Sequence, residues 1–136
     1  MNTNELRREN LIFEDVLGTC TVESIFNNKL EISVPNGKTD GTINKRWFIM
    51  DSYNFRPILL TEEWFLKFGF DKGSDIIGDC FYIELKNNDD FIIHIENDKM
   101  FLFDDDLEIK HVHQLQNLYF ALTQKELIYE NRNKTS

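Results

Sequence analysis

Three histidines, two cysteines and a few short acidic runs are the side chains here whose types and spacing invite a chemical reading. His111-x-His113, taken with His94, offers the nitrogen set of a zinc site. An HxH pair turns both rings to one side on a strand, but this pair falls where a strand is expected to give way to a helix. Two polar residues at a helix start are the better reading. Asp104-Asp105-Asp106 offers oxygen ligands for Ca²⁺ or Mg²⁺ but lacks the glycine and the distal glutamate of a calcium loop, and reads as a solvated turn. Asn36-Gly37-Lys38-Thr39 ends like a phosphate loop. Ile32 stands where that motif needs its first glycine, and the run follows Pro35 rather than opening a helix. Cys20 or Cys80 with His94 or His113 would make a nucleophile and its base, yet no elbow-like turn brings them together. Glu14-Asp15 and Glu62-Glu63 sit where solvation or helix capping accounts for them. The sequence therefore leads us to expect no catalytic residue, no metal, no cofactor and no small-molecule ligand: a protein that is not an enzyme.

Composition sets the frame for those residues. A chain of 136 residues with 13% aromatics, 12 of them Phe, fits a single domain spanning 1–136. Such a domain buries roughly two-thirds of its unfolded surface. Fifteen Lys and Arg against 24 Asp and Glu leave a formal net charge of −9. That balance repels phosphate, so direct binding to duplex nucleic acid is not expected. The Arg7-Arg8, Lys45-Arg46 and Lys110-His111 pairs lack the density and aromatic interleaving of a nucleic-acid face. An acidic surface serves solubility, and it equally suits a basic partner such as a nucleic-acid-handling protein. Two cysteines without CxxC spacing read as small core residues in a reducing compartment. The N-terminus has no apolar run behind its charges, and no apolar stretch approaches the roughly 18 residues of a membrane span. The expected location is the cytoplasm.

Periodicity supplies the elements. Apolar alternation and turn residues predict strands over 11–13, 20–26, 29–34, 46–50 and 54–58, a small antiparallel sheet or barrel filling most of residues 1–60. Asn27-Asn28 between two alternating runs is a hairpin signal, because Asn tolerates positive φ. Residues 35–41 read as a loop. Residues 61–70 predict a helix, with Thr61 as a hydroxyl N-cap, Glu62 and Glu63 in the first turn, and Leu60 stapled to Phe65. Gly69 would stand at C′, with Phe70 folding back on Phe65. Residues 80–110 predict a four-strand meander, and residues 111–128 a helical segment. Val112, Leu115, Leu118, Tyr119 and Leu122 would line its buried face, and Thr123-Gln124-Lys125-Glu126 would act as a capping box restarting a turn. Residues 129–136 read as a frayed tail. The expected class is α+β.

Two blocks and an opening carry a resemblance. Arg56-Pro57-Ile58-Leu59-Leu60-Thr61-Glu62-Glu63-Trp64-Phe65-Leu66-Lys67-Phe68-Gly69-Phe70 is the first block. The second runs Ile109-Lys110-His111-Val112-His113-Gln114-Leu115-Gln116-Asn117-Leu118-Tyr119-Phe120-Ala121-Leu122-Thr123 and on through Glu126-Leu127, and the opening is Leu6-Arg7-Arg8-Glu9-Asn10-Leu11-Ile12. In this order they resemble a family of small phage and mobile-element proteins. The chain departs from that pattern by Gln124, where the family usually carries Gly, and by the loop from Pro35 to Gly41. The resemblance implies a phage or mobile-element context rather than a reaction, and at least one similar protein is identified as an anti-CRISPR, so the expected function is a phage-encoded inhibitor of a host defence system. Its most concrete form is an anti-CRISPR protein docking stoichiometrically on an RNA-guided type VI effector nuclease with its guide RNA. A structural or regulatory phage accessory without a defence target is the alternative. On either reading the partner is a protein. The charge-dense turns at Asp40, Asp89, Asp90, Asp104, Asp105 and Asp106 are then the expected partner-binding residues.

Overall fold

The computed structural model describes residues 3–34, 44–50, 53–74, 78–85, 90–102 and 107–127. The class is α+β: two five-strand antiparallel sheets, a short helix between them in sequence, and a C-terminal helix. The chain divides into two compact units, Met1–Ile58 with His111–Asn117, and Leu59–Lys110 with Leu118–Ser136.

The first unit holds β1 (Leu11–Glu14), β2 (Gly18–Phe26), β3 (Lys29–Val34), β4 (Asn44–Ile49) and β5 (Phe55–Arg56), ordered β4-β3-β2-β1-β5. The sheet is open, not a barrel: among the described residues β4 and β5 each pair on one side only. Asn27 turns the β2–β3 hairpin at φ 55°, as its side chain permits. At the β1–β2 turn the buried Glu14 carboxylate accepts hydrogen bonds from the backbone N–H groups of Val16 and Leu17, both at 2.8 Å. Leu6, Ile12, Cys20, Val22, Leu30, Ile32, Phe48 and Phe55 form the core of this unit.

One irregularity decides which side chains enter that core. Val22 pairs with Ile32 but Ser24 pairs with Glu31, so Glu23 is the extra residue of a β-bulge. A bulge reverses the alternation beyond it. Cys20 and Val22 point inward, then Ile25 packs on the core and Phe26 turns out, 63% exposed. A uniform alternation would have kept Phe26 with Cys20 and Val22.

The second unit begins with α1 (Glu62–Lys67). Thr61 occupies the N-cap in an extended conformation, but its hydroxyl makes no capping bond; its carbonyl accepts from the N–H groups of Trp64 and Phe65. The C-terminal expectation holds in detail. Gly69 sits at φ 88°, its N–H donates to Leu66 O, and the Phe70 N–H donates to Phe65 O, each at 3.0 Å. This is a Schellman closure. The strands are β6 (Asp71–Ser74), β7 (Asp79–Glu84), β8 (Asp90–Glu96), β9 (Lys99–Leu102) and β10 (Leu107–Ile109), ordered β10-β9-β8-β7-β6. The expected four-strand meander is thus a five-strand sheet. β6 escaped the periodicity because Asp-Lys-Gly-Ser has no apolar residue to alternate.

Rings fill this unit. Phe65 stacks on Phe81 at 4.4 Å, Phe70 meets Phe65 edge-on at 5.2 Å, and Phe91 meets Tyr119 edge-on at 5.2 Å.

α2 (Val112–Thr123) starts at His111, whose N–H donates to Gln114 Oε1 at 2.9 Å, the reciprocal half of a capping box. Its buried residues are Val112, His113, Leu115, Gln116 and Tyr119. Leu118 is only half-buried and Leu122 is 55% exposed, so the expected Leu118–Leu122 stripe is displaced, with Gln116 buried instead. At the other end the Gln124 N–H donates to Phe120 O at 2.7 Å from a residue with φ 64°. That is a left-handed C′ position of the kind glycine favours. Thr123 Oγ1 accepts from the Lys125 N–H at 3.1 Å, two residues on, and no helical turn follows over residues 124–127.

Candidate functional site

His111 and His113 come side by side in the first unit, their rings stacked 5.9 Å apart at 11°. His111 contributes from an extended residue and His113 from the first turn of α2, a juxtaposition that the strand-to-helix junction had argued against. His94 lies on β8, in the second unit. His113 is buried, its Nε2 lies 3.5 Å from Glu5 Oε1, and its Nδ1 has no hydrogen-bond partner. Burial lowers its pKa from the ordinary 6.5; the Glu5 carboxylate acts the other way, and His111 adds to the lowering. Among the described residues, no three His, Cys, Asp or Glu side chains group as a metal site.

Both cysteines are free thiols in buried positions. Cys20 donates to Gly18 O at 3.3 Å, and burial together with the Glu14 charge pushes its pKa up to about 11. A thiol held protonated is a poor nucleophile. The remaining candidate carboxylates have structural partners. Asp15 pairs with Arg56 at 2.8 Å, Glu62 with Lys72 at 3.4 Å, and Glu63 with Lys67 at 3.7 Å.

Of the six acidic residues expected to meet a partner, Asp40, Asp89, Asp104, Asp105 and Asp106 lie outside the described residues, as does the run Asn36–Thr39. Asp90 is described. It opens β8 opposite Glu84, is exposed, and stands at the rim of an open cavity of about 350 Å³ lined by Leu85, Phe91, His94 and Leu102.

The polar residues of the opening and C-terminal blocks converge in the first unit, and what they do there is structural. Gln116 lies against the first turns of the chain: its Oε1 accepts from the Leu11 N–H at 2.8 Å, and its Nε2 donates to Glu9 O at 3.0 Å. Asn117 Oδ1 accepts from both Arg7 Nε at 3.0 Å and Asn10 Nδ2 at 2.7 Å. Its own amide donates to Glu5 O at 3.3 Å. Asn10 closes the set, with its Oδ1 accepting from the Arg7 N–H at 2.6 Å. Between these bonds Glu9 is held at φ 78°, a conformation costly for a residue with a side chain. Asn10 and Gln116 are almost wholly buried. Buried amides bonded on both sides secure backbone.

The outward surface of the first sheet is different. β2, β3 and β4 align in rows, and the Leu30–Phe48 row faces the core. The rows on either side, Phe26–Lys29–Ile49 and Ser24–Glu31–Trp47, therefore face out. Phe26, Trp47 and Ile49 are 63%, 50% and 43% exposed. The sequence concealed this cluster, because the bulge at Glu23 that turns Phe26 outward has no glycine or proline to announce it.

No protein-family model, curated protein or solved structure matches this chain. No helix among the described residues is long and apolar enough to cross a membrane.

Proposed function

We propose that the protein is a phage-encoded inhibitor of host defence that acts by binding rather than by catalysis. In its most concrete form it is an anti-CRISPR protein that docks stoichiometrically on an RNA-guided type VI effector nuclease in the bacterial cytoplasm. The observation that carries the binding reading is the exposure of Phe26, Trp47 and Ile49 together on the outward face of the first sheet. Large apolar side chains left in water on a sheet face mark contact surfaces, with aromatic residues the usual anchors. The net charge of −9 supports a basic partner, for which it would speed encounter more than it would tighten the complex. The defence context itself rests on the likeness of the two blocks and the opening to phage proteins.

Titration of the protein into a type VI effector loaded with guide RNA, with target-triggered RNA cleavage as readout, is the test. Inhibition should be complete once the protein equals the effector, with no lag that would betray turnover. Undiminished cleavage at large excess, across the effectors of its host, would leave the phage-accessory reading in its place.

A further inference from the structure

Four edges bound the two sheets, and three of them are poor places for another strand. β5 is two residues long and leads directly into Pro57, which has no N–H to donate. β10 has three residues, and β6 has four, with Asp71, Lys72 and Ser74 all exposed. Edges this short offer little backbone to an added strand. β4 is built otherwise. It pairs with β3 over all six of its residues, Asn44 to Ile49, and among the described residues nothing pairs with its other side. Trp47 and Ile49 are exposed on its outward face, and of residues 45–49 only Phe48 is buried. Lys45 and Arg46 are both exposed, on a strand without a carboxylate in a chain of net charge −9.

We propose that the edge of β4 takes up an extended acidic segment of a partner protein as an added antiparallel strand. Main-chain hydrogen bonds along the edge would supply affinity, and alternate side chains would supply selectivity. Register then fixes the chemistry of the guest. Read from its N-terminus, an antiparallel guest meets Ile49, Phe48, Trp47, Arg46 and Lys45 in turn, so it carries apolar, any, apolar, acidic, acidic. Lys45 already leans on Glu23 at 3.6 Å, which leaves Arg46 the stronger discriminator. A second copy of this chain fits less well, since it would bring the same two cations to the same edge and set two strongly acidic chains against each other.

The inference rests on the reading of the chain as a binding protein, but not on the identity of a defence target. The probe is a synthetic peptide with Val-Thr-Tyr-Glu-Asp between neutral flanks; its companion has Lys-Lys in place of Glu-Asp. Fluorescence polarisation should show the acidic peptide binding about tenfold more tightly, the worth of two exposed ion pairs. Amides of residues 44–49 should gain protection from hydrogen exchange. Arg46→Glu should reverse the peptide preference, and Trp47→Ser should abolish binding with the unfolding midpoint unchanged. If Trp47→Ser fails to fold, the exposed Arg46→Glu variant still decides. Equal binding of both peptides, binding of neither, or protection confined to other strands overturns the proposal. So does Trp47-dependent self-association in sedimentation, which would assign the edge to a second copy. Because no effector enters this assay, failure of nuclease inhibition with peptide binding intact would count against the proposed function and not against the edge.

Discussion

The two units hold themselves together by different means. In the second, Phe65, Phe70, Phe81, Phe91 and Tyr119 interlock ring against ring, and stability comes from apolar area removed from water. In the first, a mainly aliphatic core with a smaller ring group of Phe48, Tyr53 and Phe55 is joined to a set of directional bonds: Gln116, Asn117, Asn10 and Arg7 clamp the opening turns to the start of α2. Rings tolerate small shifts, whereas amides bonded at both ends do not. The contrast teaches that polar residues in a distinctive sequence block need not be functional. Here they secure backbone, and the exposed apolar residues of the first sheet lie on its outward face.

The largest expected effect is in the ring-packed unit. Phe81→Ala removes a fully buried ring from its 4.4 Å stack on Phe65 and should cost about 3–5 kcal/mol in urea unfolding. A loss under about 1 kcal/mol would mean that the rings are not the unit's support. Gln116→Leu probes the clamp at nearly constant volume. It strands the Leu11 N–H and the Glu9 carbonyl, so about 1–3 kcal/mol should be lost, and the Leu11 amide should exchange faster. A neutral outcome would show the clamp to be ornamental and erase the contrast. Gln124→Gly should instead stabilise by about 1 kcal/mol, because it relieves a left-handed residue at the end of α2.

The smallest effect separates the units by pH. His113 has its pKa lowered in the folded first unit by burial, so the unfolded chain takes up the proton more readily. Its contribution to stability is present above the ordinary value of 6.5 and is lost as pH falls through that value toward the folded one. His113→Gln should flatten the fall in urea midpoint across this window. Identical pH profiles for the two proteins would show that the imidazole is not strained by its burial.

Much of this fold was legible in the sequence, and the exceptions have local causes. The hairpin at Asn27, the Gly69 closure and the strand-rich halves follow from turn chemistry and alternation, which act over a few residues. β6 was hidden because an exposed edge strand needs no apolar residue. The burial of Gln116 was hidden because the clamp depends on partners more than a hundred positions away. The left-handed residue that ends α2 was hidden because Gln124, at φ 64°, is not a residue type that announces such a conformation. As for the candidate site, five of the six chosen aspartates lie outside the described residues, and the Phe26–Trp47–Ile49 face depends on a bulge that carries no residue signature.

Stability and inhibition measured together on Gln116→Leu and Trp47→Ser bear most directly on the claim that clamp and contact surface are separate. Gln116→Leu should unfold at lower urea yet inhibit the effector fully wherever it remains folded. Trp47→Ser should unfold like the parent and fail to inhibit. The reverse pattern, with folded Gln116→Leu inactive and Trp47→Ser a full inhibitor, would place function in the polar blocks and contradict the separation.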